Sequence, residues 1–196
     1  MTPEIRAFEY AMGLFSVLIG LAIADIAVSF HRLTRSKLQV RWDPLTLGAA
    51  LYTLCMAVYM WFDIWGVRHF AITRHFLFYL GLVAALFVLF LAAAASLPDE
   101  VSEAVNLREY YARNRRYFWS LIALFQFGYV GFGLYFGASE SGRLPLSLDI
   151  LLWALMSAPF AISLALLLLK SRSAHYVGLA LLFALMLAHY APMQIN

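Results

Sequence analysis

Long apolar runs separated by short polar segments dominate the chain. Six runs are long enough for a helix that crosses a bilayer, which takes about 20 residues. They cover residues 9–30, 45–66, 76–97, 117–137, 148–169 and 175–192. The runs lack the strict alternation of membrane β-strands, so each is predicted to be helical. The pattern therefore predicts an all-α polytopic protein, a bundle of six transmembrane helices forming a single domain.

The composition agrees with a lipid environment. Of the 196 residues, 64% are hydrophobic and 13% are charged, and the mean hydropathy is +0.79. A soluble domain averages about 45–50% apolar and about 25% charged residues. A soluble chain of this length could not bury so much apolar surface. The lipid bilayer is therefore the expected solvent and partner.

The placement of the basic residues predicts the orientation. Most of the 14 lysines and arginines lie in the loops after spans 1, 3 and 5, in short blocks between apolar runs. Such residues stay in the cytoplasm, so both termini are predicted to lie on the outer side. The net charge of +3 is thus explained by membrane orientation, and no nucleic acid is expected as a partner.

Local signals mark several span ends. Asp43 followed by Pro44 is typical of an N-cap and first helical position, at the start of span 2. Tryptophan is enriched at membrane interfaces. Four tryptophans lie near predicted span ends, at Trp42, Trp61, Trp65 and Trp119.

The loop after span 3 is the longest. It is acidic at its start and basic at its end, which suits a helix dipole, so a short amphipathic cytoplasmic helix is predicted within residues 99–116. This segment is either a docking element for a cytoplasmic protein or for lipid, or a solvated linker. Its candidate contact residues are Arg108, Arg113, Arg115 and Arg116.

Small residues recur on one face of span 1. They follow Glu9 at spacings of three or four and are Gly13, Ser16, Gly20, Ala24 and Ala27. Small residues let helix backbones approach closely, and Gly133 and Gly137 form a GxxxG pair in span 4. The faces predict helix packing within the chain or between copies, and hence a homo-oligomer.

Polar residues also occur near the outer ends of the spans. Asp63 shares a helical stripe with Tyr52 and Tyr59, and such a stripe should face protein or water rather than lipid. Glu9 and His189 are predicted at a similar depth. These residues are expected to form a polar cluster at the outer mouth of the bundle. The alternative is that Arg68 pairs with Asp63.

Two further polar residues lie deeper. Asp25 is near the cytoplasmic end of span 1, with Ser29 and Arg32 on nearly the same face. It is either paired with Arg32 or a carboxylate on an ion pathway. Gln126, near the middle of span 4, is expected to form a hydrogen bond to a neighbouring helix.

Motifs for bound groups are missing. The sequence has no P-loop, GxGxxG or HExxH motif, and no cofactor is expected. Acidic residues and histidines near the outer side could ligate a metal, but their spacing is not diagnostic, so the metal assignment stays open. The single cysteine, Cys55, excludes an intrachain disulfide.

Five segments of the chain carry a resemblance to other proteins. They are the opening FEYAMGLFSVLIGLAIADI, the basic HRLTRSK segment, the following WDP, and the later LPDE and LREYYARNRRYFW. Together these segments resemble a group of small hypothetical bacterial inner-membrane proteins. The likeness covers the first half of the chain and the third loop. It implies a six-span protein of the bacterial inner membrane. No activity is assigned to this group, so the resemblance gives no residue a catalytic role.

Embedded ionisable residues in a membrane protein indicate a functional site by default. The sequence therefore favours a channel or transporter for a proton or small cation. The alternative is a sensor, scaffold or subunit that acts through the arginine- and tyrosine-rich third loop. A membrane-embedded enzyme is the third possibility.

Overall fold

The computed structural model describes residues 3–35, 39–69, 75–99, 104–140 and 146–190. The described chain is all-helical apart from two three-residue strands and one turn of 3₁₀-helix. Its helices are α1 (Pro3–Arg35), α2 (Pro44–Gly66), α3 (Phe76–Ser96), α4 (Leu107–Glu140), α5 (Leu146–Leu168) and α6 (Arg172–Tyr190). The strands are β1 (Gln39–Arg41) and β2 (Ala104–Asn106), and the 3₁₀-helix covers Val67–His69.

In the part of the chain that the structure describes, four helical segments are long and apolar enough to cross a membrane. They are Phe8–Arg35, Pro44–Gly66, Phe76–Ser96 and Arg172–His189. A shorter apolar segment, Ala154–Leu168, lies within α5. The fourth predicted span is the continuation of a helix that starts at Leu107, so the end of the third loop and that span are one helix. These helices are compatible with a membrane location.

The chain divides into two compact units, with the division inside α4. Unit 1 covers Met1–Asn114 and unit 2 covers Arg115–Asn196. In unit 1, α1 packs against both α2 and α3. In unit 2, α5 packs against α6.

The inward face of α1 in unit 1 is made of large apolar side chains. Residues at helical spacing are buried along it, among them Phe8, Met12, Phe15, Ile19, Ile26 and Leu33. The stripe of small residues from Gly13 to Ala27 is instead exposed within this unit. Nothing lies within 4 Å of the position that a Cβ would take at Gly13 or Gly20. At Gly13 and Gly20 the stripe therefore makes no close helix contact within the described part of unit 1, whereas Ser16 accepts a hydrogen bond from Trp61 of α2.

A pair of short parallel strands joins two loops of unit 1. Val40 of β1 lies opposite Val105 of β2. Directly after β1, Asp43 has an extended backbone and its Oδ2 accepts a hydrogen bond from the backbone N–H of Thr46 at 3.2 Å. This confirms the predicted cap of α2. The strands themselves were not predicted, because three residues are too short to show alternation.

Two helices of unit 2 approach closely at Gly178. A Cβ placed there would lie 2.7 Å from Cδ2 and 3.0 Å from Cγ of Leu166. Leu166 is only 2% exposed, so it has little room to move away. Gly178 therefore allows α5 and α6 to pack in direct contact.

We expect Gly178→Ala to lower the free energy of unfolding by about 1–3 kcal/mol, because the added methyl overpacks a filled interface. The measurement is reversible denaturation in detergent micelles. Gly128→Ala is the matched control, since Gly128 also lies in a helix of unit 2 but has nothing within 4 Å of its Cβ position. Equal stability of the two variants would contradict the assigned contact.

Candidate functional site

Charged and polar side chains of unit 1 meet where α1 nears its end and α3 has just finished. Asp25, Ser29 and Arg32 share one face of α1, at positions i, i+4 and i+7. The segment after α3 brings Asp99 to this face. Together with Tyr110 at the start of α4, these residues are named the Asp25 cluster.

Hydrogen bonds from α1 hold Asp99 in place. Ser29, which is 2% exposed, donates from Oγ to Oδ1 of Asp99 at 3.2 Å. Arg32 donates from Nη1 to the backbone carbonyl of Asp99 at 3.0 Å. Arg32 thus forms a hydrogen bond with the loop after α3, and its charge also lies near enough to Asp25 to attract the carboxylate.

Asp25 carries the unusual feature of this cluster. Its Oδ2 atom is buried and accepts no hydrogen bond from the described part of the chain. The carboxyl group of Asp99 is near enough to repel a negative charge on Asp25, and Arg32 is near enough to attract it. A buried carboxylate oxygen without a donor is costly. A bound proton or cation would remove that cost.

Tyr110 and Asn114 form the wall of the cluster on α4. The Tyr110 hydroxyl lies 3.1 Å from the Ala95 carbonyl and 3.0 Å from the Leu97 carbonyl, and its one proton is shared between them. Asn114 donates from Nδ2 to the Ala95 carbonyl at 2.6 Å and to the Tyr110 hydroxyl at 3.1 Å. The two side chains therefore satisfy carbonyls at the end of α3, which would otherwise lack donors.

The phenol stays protonated over the ordinary pH range. Burial, together with the negative charge of Asp99, raises the pKa of Tyr110 to about 12. Tyr110 therefore acts as a hydrogen-bond donor to the end of α3 and not as a charged group. Sequence reasoning missed it, although Tyr110 and Asn114 are four residues apart, which places them on one face of a helix.

Three of the residues predicted near the outer side, Tyr52, Tyr59 and Asp63, lie on α2. Tyr52 is buried, whereas Tyr59 and Asp63 are half-buried. Glu9 of α1 is exposed. His189, in the last turn of α6, is exposed and belongs to unit 2, so its grouping with Glu9 and Asp63 stays a prediction.

Two contacts are made by residues close to Asp63 in the sequence. Trp61 donates from Nε1 to the Ser16 hydroxyl at 3.1 Å, which sets the register between α1 and α2. Arg68 donates to the Trp65 carbonyl at 3.0 Å, and its guanidinium lies 4.7 Å from the centre of the Trp65 ring. These contacts place the Arg68 guanidinium over Trp65, and the predicted pairing of Arg68 with Asp63 stays a prediction.

Gln126 lies in unit 2, between α4 and α5. It is 5% exposed, and its Oε1 accepts a hydrogen bond of 2.8 Å from the hydroxyl of Ser163, which is fully buried. This confirms that Gln126 forms a hydrogen bond to another helix. The bond satisfies two buried polar groups, so Gln126 has a structural role whether or not it has another.

The arginines of the third loop differ in their exposure. Arg108, Arg113 and Arg116 are exposed, whereas Arg115 is half-buried and donates to the Leu169 carbonyl after α5. Trp119 also differs from the exposed Trp42, Trp61 and Trp65. It has no exposed area and packs against His175, with 6.2 Å between the ring centres. Trp119 is therefore a core residue of unit 2 and not a lipid-facing anchor.

The described residues contain no group of three or more histidine, cysteine or acidic side chains that could hold a metal ion. No protein-family model, curated protein or solved structure matches this chain.

Proposed function

We propose that this is a six-span protein of the bacterial inner membrane, with both termini outside, that carries a proton or small cation. The four candidate spans support the membrane assignment. The other two predicted spans fall on α4, with 34 residues, and α5, with 23 residues. At 1.5 Å per residue even the shorter helix is about 35 Å long, enough to cross the hydrocarbon core.

The buried, unsatisfied Oδ2 atom of Asp25 carries the proposal. A purely structural carboxylate inside a membrane protein is normally paired or hydrogen-bonded. Here the α1 side chains that could serve as donors, Ser29 and Arg32, bind Asp99 instead. The site can therefore take up a positive charge, as a proton or as a cation shared between the two carboxyl groups.

The apolar face of α1 on the N-terminal side of Asp25 favours a carrier over an open channel. The face of α1 towards its N-terminus from Asp25 carries Leu14, Leu18 and Leu21. These three residues place no polar side chain on that face of α1. We therefore propose that Asp25 exchanges its ion at the end of α1 where Asp99 is exposed, and that a rearrangement gives access to the other side.

The remaining polar residues are proposed to serve the outer half of the path. Glu9, Asp63 and His189 would attract cations at the outer mouth. Tyr52 and Tyr59 would line the approach along α2. In unit 2, Gln126 would bind the ion if its side-chain carbonyl released the Ser163 hydroxyl.

The test is ion or proton flux into liposomes that contain the purified protein. We expect Asp25→Asn to reduce the flux to that of empty liposomes, because the amide cannot carry the charge, and Asp63→Asn to reduce it partly. Glu109→Gln is the matched control, since it makes the same chemical change at an exposed residue of α4. Wild-type flux no greater than that of empty liposomes, at all pH values and voltages tested, would defeat the proposal.

A second candidate function is a scaffold or sensor subunit that binds a cytoplasmic protein. It is favoured by the exposure of Arg108, Arg113 and Arg116, while Arg115 is held within the chain. A variant with these three exposed arginines changed to Ala separates the two functions in the same preparations. A carrier keeps its flux in this variant, whereas a scaffold loses its protein partner and shows no flux in any variant.

A further inference from the structure

Basic side chains of unit 2 converge where α4 passes the turn between α5 and α6. Arg115 of α4 donates from Nη1 to the carbonyl of Leu169 in this turn. Lys170 is the next residue and is exposed. Arg172 follows as the first residue of α6. Three cationic side chains from two parts of the sequence therefore lie around one short turn.

Local contacts hold the two arginines in defined positions. The guanidinium of Arg172 lies 5.8 Å from the centre of the Tyr176 ring and its Nη2 lies 3.4 Å from the Tyr176 hydroxyl. His175, which is 1% exposed, has its Nε2 atom 3.0 Å from the same Leu169 carbonyl that binds Arg115. Arg115 uses one of its five N–H groups in this contact, so the others remain for a ligand.

Within unit 2, the acidic residues lie far along the chain from these cations. The acidic residues within residues 115–196 are Glu140 and Asp149. Glu140 ends α4, and Asp149 is in the first turn of α5. Each lies at the opposite end of its helix from Arg115 or Leu169. The turn is therefore a concentrated positive site.

We infer that this site binds the phosphate of an anionic phospholipid. The candidate span of α6 begins at Arg172, so the site lies at the level where a membrane presents headgroups. Arginine forks suit phosphate oxygens, and basic pockets between transmembrane helices bind anionic headgroups. The first N–H groups of α6 add a favourable dipole. The inference requires that α6 crosses a membrane and does not require ion transport.

The experiment is titration of the purified full chain with phosphatidylglycerol in a neutral detergent, followed by native mass spectrometry. The test variant is Lys170→Ala with Arg172→Ala. We expect about thirtyfold weaker binding, because each basic residue near an anionic lipid surface contributes about fivefold. The matched control is Arg35→Ala with Arg41→Ala, which removes two exposed arginines of unit 1. It should change the affinity less than about threefold.

Two outcomes would overturn the inference. Equal losses in the two double variants would show that lipid binding follows total charge, without a site at this turn. Wild-type affinity for phosphatidylglycerol no greater than for phosphatidylcholine would show that no anionic lipid is recognised. The single change Lys170→Glu, at an exposed position that disturbs no described contact, repeats the test where the double variant fails to fold.

Discussion

Trp119→Ala is expected to lower the free energy of unfolding by about 3–5 kcal/mol, the cost of truncating a large core side chain. Trp119 has no exposed area and packs edge-on against Phe118, with 5.1 Å between ring centres. On α6 it contacts the His175 ring. Its removal leaves a cavity between α4 and α6, next to the turn that Arg115 and His175 hold together.

The measurement is reversible denaturation in mixed micelles, followed by helical circular dichroism. Trp42→Ala provides the control, since Trp42 is 47% exposed and its ring makes a looser contact with Phe30, at 6.2 Å. We expect the control to cost less than about 1.5 kcal/mol. Similar losses for the two variants would show that Trp119 does not have the packing role assigned to it.

Tyr110→Phe should cost about 1–3 kcal/mol, because it removes a donor from the buried end of α3. The Leu97 carbonyl loses the Tyr110 hydroxyl, whereas the Ala95 carbonyl keeps its bond from Asn114. Asn114 in turn loses an acceptor. Tyr117→Phe is the control, since Tyr117 is 51% exposed, and it should be near neutral. A wild-type-like Tyr110→Phe variant would contradict the capping role.

The same residue predicts a dependence of stability on alkaline pH. The pKa of Tyr110 is raised from 10.0 to about 12 in the folded protein by burial and by Asp99. The folded state therefore holds this proton more tightly than the unfolded state. The stabilisation is complete below pH 10 and is lost as the pH rises towards 12. Denaturation curves across this range should show a smaller alkaline loss for Tyr110→Phe than for the wild type.

Local patterns in the sequence were enough to predict the helices. The apolar runs predict the bounds of α2 and α3 almost to the residue. This is expected where a helix crosses a bilayer, because the helix must then be about as long as its apolar run. The cap at Asp43 was equally visible, since an Asp–Pro pair is a local signal. The hydrogen bond of Gln126 could be predicted because an amide without a hydrogen-bond partner among apolar side chains is energetically costly.

Contacts between distant segments were not predictable from such patterns. Asp25 was recognised as unusual, but the sequence does not show that Asp99 approaches it, or that Arg32 binds the Asp99 backbone. The burial of Trp119 depends on which face of α4 packs against α6. The sequence does not indicate that face, because apolar residues occur all around an apolar helix. For the same reason the stripe of small residues on α1 suggested a packing face, whereas larger side chains fill the core of unit 1.

The strand pair has a consequence for the order of events during synthesis. The Thr46 hydroxyl lies 2.9 Å from the Leu107 carbonyl, 61 positions later in the chain. The strand β1 likewise pairs with β2, which is synthesised much later than β1. The first three helices are synthesised before this partner has left the ribosome. The contacts of β1 with β2 and of Thr46 with Leu107 can form only when the start of α4 has been synthesised. A nascent chain stopped after α3 should therefore leave Asp25 open to water, and should gain protection from proteases once residues 104–107 are made.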